Sequence, residues 1–233
     1  MAFNMKSIYY TLLKYTGAYL YRECTHMPAV PGTNKPGNTI ERLQNGENVT
    51  IAALGDSLTH GWMVSRGYID VLYEMLSENY PAATISIINS GIPGDTAEGG
   101  LHRLQRAVIN HDPHCVFIQF ALNDAVSGYT PATYGNYIRA IIRQTRKTTK
   151  AEIVLISSTW LDGMPESKIA DSFYEQLEEI SGELNVSMAP VHRYWEQQVR
   201  AGMPQKELVQ FDGVHPTEKG YRIMAEAVFK LFL

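Results

Sequence analysis

Cysteine is nearly absent from this chain, which has only Cys24 and Cys115. Two cysteines cannot make the disulfide framework of a small secreted domain, and no Cys/His spacing here reads as a zinc site. A chain of 233 residues has no need of such staples, because a domain of that size buries most of its apolar surface. An excess of one charge is also missing. Twenty Lys and Arg stand against 24 Asp and Glu, a net −4, so the overall charge gives no electrostatic footprint for nucleic acid or an anionic membrane surface. No apolar run approaches the roughly 18 residues of a membrane span. With 45% hydrophobic and 19% charged residues, a disordered tail and a coiled coil are both excluded. The lack of a signal-peptide pattern and of a disulfide pattern gives a cytoplasmic expectation.

The charge that is present is unevenly placed. Residues 1–48 carry +2 and residues 49–233 carry −6. In the first 25 residues, Ile8, Leu12, Tyr15 and Tyr19 recur at helical spacing, and five of the 14 tyrosines lie in this stretch. The expectation is an amphipathic helix, docked on its own domain or serving as a homodimer arm. Residues 27–48, with Pro28, Pro31 and Pro36, read as an extended connector. The organisation expected is therefore an N-terminal extension and linker over 1–48 and one domain over 49–233.

From Val49 onward, short bounded apolar runs alternate with helical patterns. Strands are expected at 49–54, 84–89, 114–122, 153–157 and 186–191. Helices are expected at about 66–79, 96–110, 131–148, 166–184 and 217–232. Within them, Leu104 and Val108 share one face, as do Ile138, Ile141, Ile142 and Thr145. Near-continuous apolar strands suit a parallel sheet covered on both sides, and strand–helix alternation implies right-handed crossovers and a three-layer α/β sandwich. In such sheets ligands bind at the carboxyl ends of the strands.

Four segments at those ends carry chemistry. Gly55-Asp56-Ser57-Leu58 puts a serine at a strand-to-helix turn, where a base can activate its hydroxyl. Gly94-Asp95-Thr96 forms a loop opening a helix, with backbone N–H groups free to face an oxyanion. Ala121-Leu122-Asn123-Asp124 offers a side-chain amide donor. Asp212-Gly213-Val214-His215 places a histidine, the usual base at neutral pH, three residues after a carboxylate that can fix its tautomer. Each has a bland alternative: a capping serine, an ordinary βα loop, an Asx turn and a surface turn. The four together, nucleophile first and base last, read as one active site.

Taken in order, these blocks resemble the GDSL esterases, or SGNH hydrolases, over about residues 49–233. The resemblance implies a flavodoxin-like fold with a five-stranded parallel sheet. It makes Ser57 the nucleophile, with Asp212 and His215 completing the catalytic set. It gives the oxyanion hole to the N–H groups of Ser57 and Gly94 and to the Asn123 amide. No metal and no cofactor is implied. The chain departs from the family pattern at Ala121, where glycine is usual; a turn requiring φ > 0 there would be strained. Asp56 and Asp124 adjoin the motifs in supporting positions.

The expected activity is hydrolysis of a small-molecule carboxylic ester through an acyl-enzyme. The Gly94-Asp95-Thr96 stretch looks like the thioesterase/lysophospholipase branch, and a carbohydrate O-acetylesterase is the alternative. Two rivals of other classes are a non-catalytic binding protein on the same fold and a metal-dependent phosphoesterase using Asp56, Asp95, Asp124 and His215. Trp62, Trp160, Met164, Trp195 and Phe211 are candidates for a substrate wall or, more simply, for core. Of the other histidines, His111 and His114 flank a turn and His192 carries no motif.

Overall fold

The structure, a computed structural model, describes residues 34–161 and 167–233. The helix expected near the N-terminus, its dimer-arm alternative and Met164 lie outside the described residues. Five parallel strands form one sheet: β1 (Asn48–Gly55), β2 (Thr84–Gly91), β3 (Cys115–Gln119), β4 (Glu152–Ile156) and β5 (Ser187–Ala189). Their order is β2-β1-β3-β4-β5, so the chain reverses its direction of winding on either side of β1. β1 and β3 are largely apolar because they are covered on both faces. Leu54, Ile51, Phe117 and Ile118 are all essentially inaccessible.

Helices fill the two outer layers and divide the core in two. In chain order they are α1 (Gly37–Gln44), α2 (Ser57–His60), α3 (Tyr68–Asn79), α4 (Ala97–Ala107), α5 (Leu122–Val126), α6 (Pro131–Thr148), α7 (Ser167–Leu184), α8 (Val191–Arg200), α9 (Gln205–Leu208) and α10 (Glu218–Phe229). One core holds Ile51, Ala53 and Phe117 under α1, α3, α8 and α10. The other holds Ala52, Leu54, Val116 and Ile118 under α4, α6 and α7. Alternate residues of β1 thus point into opposite cores, as the period of a strand requires. Among the described residues no helix is long and apolar enough to cross a membrane.

The five strands and five long helices lie where the sequence pattern puts them, with three differences. The connector expected over 27–48 contains a helix at 37–44. Its glycine and asparagine content hides a small inward set: Leu43 is buried in the core and Thr39 is buried where its N–H and hydroxyl both reach Glu152 Oε2 at 2.7 Å. The third strand stops at Gln119 rather than 122, because α5 begins at Leu122. The fifth strand is short, and α8 starts at Val191, directly after Pro190. Its inward residues, Val191 and Trp195, are the reason it forms there.

Because Leu43 fills space beneath β1, Leu43→Ala should cost about 2–5 kcal/mol of unfolding free energy, read as a lower urea midpoint at unchanged m-value.

Candidate active site

The first block is built on a close approach. β1 ends at Gly55, and a β-carbon there would lie 2.2 Å from Thr59 Oγ1 and 2.8 Å from the Gln119 carbonyl. Only glycine lets α2 fold back directly over the strand end. Asp56 caps that helix, its Oδ1 accepting the Leu58 N–H at 2.8 Å. Ser57 is then the first helical residue, with 6% of its surface exposed.

The last block closes on it. Asp212 Oδ1 accepts the N–H groups of Val214 and His215, both at 2.9 Å. Its other oxygen lies 2.6 Å from His215 Nδ1. His215 Nε2 lies 2.8 Å from Ser57 Oγ. With Nδ1–H donating to Asp212, Nε2 is the acceptor that faces the serine hydroxyl. The three residues, 158 positions apart at their extremes, thus form one unbroken hydrogen-bonded relay.

The second and third blocks reach the same sheet edge. Gly94 has φ 81°, a left-handed value that glycine adopts without penalty, and it turns the loop into α4. Among the described residues, neither the Ser57 nor the Gly94 N–H has a hydrogen-bond partner. Asn123 lies in the first turn of α5 and donates one amide hydrogen to the Asp95 carbonyl at 3.0 Å, which fixes the side chain and leaves its second hydrogen unspent. Ala121 is buried with φ 161°. That is extended backbone, so the left-handed strain considered for an alanine here does not arise.

Several residues with no motif hold these parts in place. Gln119 is fully buried. Its Oε1 accepts the Thr59 hydroxyl at 2.9 Å, and its amide donates to Ser158 Oγ at 3.1 Å and to Asp56 Oδ2 at 3.4 Å. Arg103 donates from Nε to Asp95 at 2.7 Å, from Nη1 to the Ser90 carbonyl at 2.6 Å and from Nη2 to the Gly55 carbonyl at 2.9 Å. It therefore ties the ends of β1 and β2 to the Gly94 loop. Gln210 bridges the Trp62 carbonyl, at 2.9 Å, and the Pro216 carbonyl, at 2.8 Å. Tyr221 receives the Trp62 N–H at 3.0 Å. A glutamine interrupting the apolar run of β3 was the only sequence signal for any of these, because a buried polar side chain must find partners.

Two buried carboxyls flank the site. Burial pushes Asp56 up to about 7, against the pull of the Leu58 N–H and the Gln119 amide. Burial likewise pushes Asp124 up to about 7, partly offset by the Ala97 N–H that its Oδ1 accepts at 2.9 Å. Asp56 and Asp124 each accept a backbone N–H at the start of a helix. Asp95 is spent on Arg103. Among the described residues no cluster of three or more His, Cys, Asp or Glu is placed to hold a metal ion.

The remaining candidates divide cleanly. Trp195 is buried and donates to Gln205 at 2.7 Å, so it belongs to the core. Trp62 and Phe211 are exposed beside the site. His114 accepts the Thr50 N–H at 3.0 Å at the opposite end of the sheet. His192 sits beside Ser157, Nδ1 to Oγ 2.7 Å, where burial lowers it to about 3 and keeps it neutral.

Asp212 sets a pH signature. Burial would raise its carboxyl, but the hydrogen bonds from His215 and from the Val214 and His215 N–H groups outweigh it and hold the group at about 2, below the ordinary 3.8. A depressed carboxyl stabilises the fold fully above the unfolded value, and the contribution is lost as pH falls through the folded one. Asp212→Asn should therefore be less stable than the parent at pH 7 by on the order of 2 kcal/mol. The gap should close as the pH is taken from about 4 to below 2, as followed by urea unfolding at each pH.

The chain is similar to several known ester hydrolases. It is 25% identical over 181 residues to "Thioesterase 1/protease 1/lysophospholipase L1" of Escherichia coli (strain K12), covering 78% of this chain and 82% of that protein. It is 25% identical over 180 residues to an arylesterase of Vibrio mimicus, covering 76% and 85%. An acetylxylan esterase of Geobacillus stearothermophilus is 23% identical over 177 residues, covering 70% and 80%. A solved structure of the Geobacillus enzyme superposes with a TM-score of 0.71 at 22% identity, covering 79% of this chain and 94% of that one. Catalytic mutants of that enzyme at a serine, a histidine and an aspartate have the same fold. A GDSL-like lipase from Parabacteroides merdae, described as putative, also gives 0.71 at 25% identity, covering 80% and 96%. The family model described as GDSL-like Lipase/Acylhydrolase matches residues 53–223. By that match across most of its length, the chain belongs to the GDSL-like lipase/acylhydrolase family.

Proposed function

We propose that this chain, an ester hydrolase of the GDSL-like family, works through an acyl-enzyme formed on Ser57. The observation that carries this reading is the relay itself: Asp212 to His215 at 2.6 Å and His215 to Ser57 Oγ at 2.8 Å. His215 Nε2 takes the hydroxyl proton as Ser57 Oγ bonds to the ester carbonyl carbon. Asp212 holds the imidazole in the tautomer that can accept, and stabilises the cation that forms. The carbonyl oxygen becomes an oxyanion facing the N–H groups of Ser57 and Gly94 and the Asn123 amide. When the intermediate collapses, the carbon–oxygen bond to the alcohol breaks and His215 gives its proton to the departing oxygen. Water then repeats the cycle on the acyl-enzyme and releases the acid.

No step in this sequence calls for a metal or an organic cofactor. The partner is a small-molecule carboxylic ester. The E. coli relative, named as a thioesterase and lysophospholipase, supports acyl esters or thioesters as substrates. The acetylxylan esterase relative supports the second reading, an O-acetylated carbohydrate.

Ser57→Ala should abolish turnover of p-nitrophenyl esters in the purified protein; hydrolysis at the parent rate would sink the mechanism. Asn123→Ala should lower kcat by about 10²-fold or more, the usual effect of removing one oxyanion donor. Its stability in urea should change little by comparison.

A further inference from the structure

Large hydrophobic side chains exposed to solvent are unevenly distributed. Among the described residues there are six: Trp62, Met63, Tyr73, Ile92, Phe211 and Leu233. Four of them adjoin the catalytic segments. Trp62 and Met63 follow α2, Ile92 is anchored by its N–H to the Gly55 carbonyl at 3.0 Å, and Phe211 immediately precedes Asp212. Isolated exposed hydrophobics need no explanation, but a concentration around one mouth does.

Trp62 is the best defined of the four. Its indole lies 6.2 Å, centroid to centroid, from the His215 ring and is tilted 41° to it. Its backbone is pinned on both sides, by the Tyr221 hydroxyl on the N–H and by the Gln210 amide on the carbonyl. The following residue, Met63, has φ 54°, an uncommon left-handed conformation for a side chain of that size. The loop thus holds Trp62 beside His215 while leaving 38% of its surface in solvent.

The chemistry says which part of a substrate lies there. In the tetrahedral intermediate the carbon bears Ser57 Oγ, the oxyanion, the acyl group and the departing alcohol oxygen. The oxyanion faces Gly94 and Asn123. The alcohol oxygen must come within hydrogen-bond reach of His215 Nε2, because that proton goes to it as the carbon–oxygen bond breaks. The group nearest His215 Nε2 is therefore the alcohol, not the acyl chain. Resting on the acyl-enzyme reading above, we propose that Trp62 is the platform for the leaving alcohol, with Phe211 at its edge. That alcohol presents a ring face, either aryl or pyranose.

The test varies one half of the ester at a time. With acetyl held constant, kcat/KM is measured for phenyl acetate, an O-acetylated methyl pyranoside and ethyl acetate, in the parent, Trp62→Ala and Trp62→Phe. Trp62→Ala should lower the value for one or both ring alcohols by roughly 3- to 10-fold more than for ethyl acetate, the usual range for loss of a ring stacking partner. Trp62→Phe should recover most of it. The larger loss tells aryl from pyranose. With phenol held constant, the butyrate-to-acetate ratio should not move. Equal losses across all three alcohols, or a shift in the acyl ratio, would overturn the assignment. The parent protein gives an independent measurement, since its acyl-enzyme should transfer acetyl to benzyl alcohol in preference to ethanol at equal concentration. Equal transfer would also overturn it. Failure of the underlying reading looks different: the Ser57→Ala protein would keep hydrolysing all of these esters.

Discussion

The buried amide of Gln119 holds the residues on either side of Ser57. It donates to Asp56, one position before the serine, and accepts from Thr59, two positions after. A four-residue helix has little stability of its own, so α2 cannot orient a hydroxyl unaided. Its direction comes from the end of β3, through Gln119, and from the end of β1, through the contact that only Gly55 permits. The site is therefore fastened to β1 and β3, two adjacent interior strands of the sheet. Arg103 extends the same fastening to β2 and to the loop of Gly94.

This placement follows from topology. The winding reverses about β1, so the loops after β1 and β3 leave the same edge of the sheet in opposite layers and open a crevice between them. Ser57 and Asn123 enter from those two loops, and Gly94 from the loop after β2. The relay then needs only one further segment, the turn before α10, to bring in both Asp212 and His215. Buried carboxyls cap the helices that surround the crevice. Their cost in desolvation, seen in the upward displacement of Asp56 and Asp124, is offset by backbone N–H groups that would otherwise go unpaired.

Sequence made the sheet and the motif residues legible, for identifiable reasons. Strands buried on both faces are mostly apolar, and α6 and α7 have a clear inward stripe, so local pattern and tertiary role coincide. They diverge at α1, where glycine and asparagine mask a helix held by Leu43 and by the Glu152 contact with Thr39. They diverge again at residues 186–191, where an apolar run is shared between a three-residue strand and the start of α8. Ser57, Asp212 and His215 stand out in short motifs of fixed residue type, and the structure brings the three side chains together. Arg103, Gln210 and Tyr221 do not stand out. Each acts through a partner far away in sequence, and nothing in their neighbours distinguishes them from an ordinary polar surface.

Asp212 and His215 belong to one turn, and the same carboxylate that meets the imidazole also binds the turn's own backbone N–H groups. Imidazole and carboxylate are thereby made one cassette. A displacement of the turn as a unit would leave their mutual geometry intact and change only how the pair is placed against Ser57. The cassette could be carried by any scaffold that offers a serine at the right height.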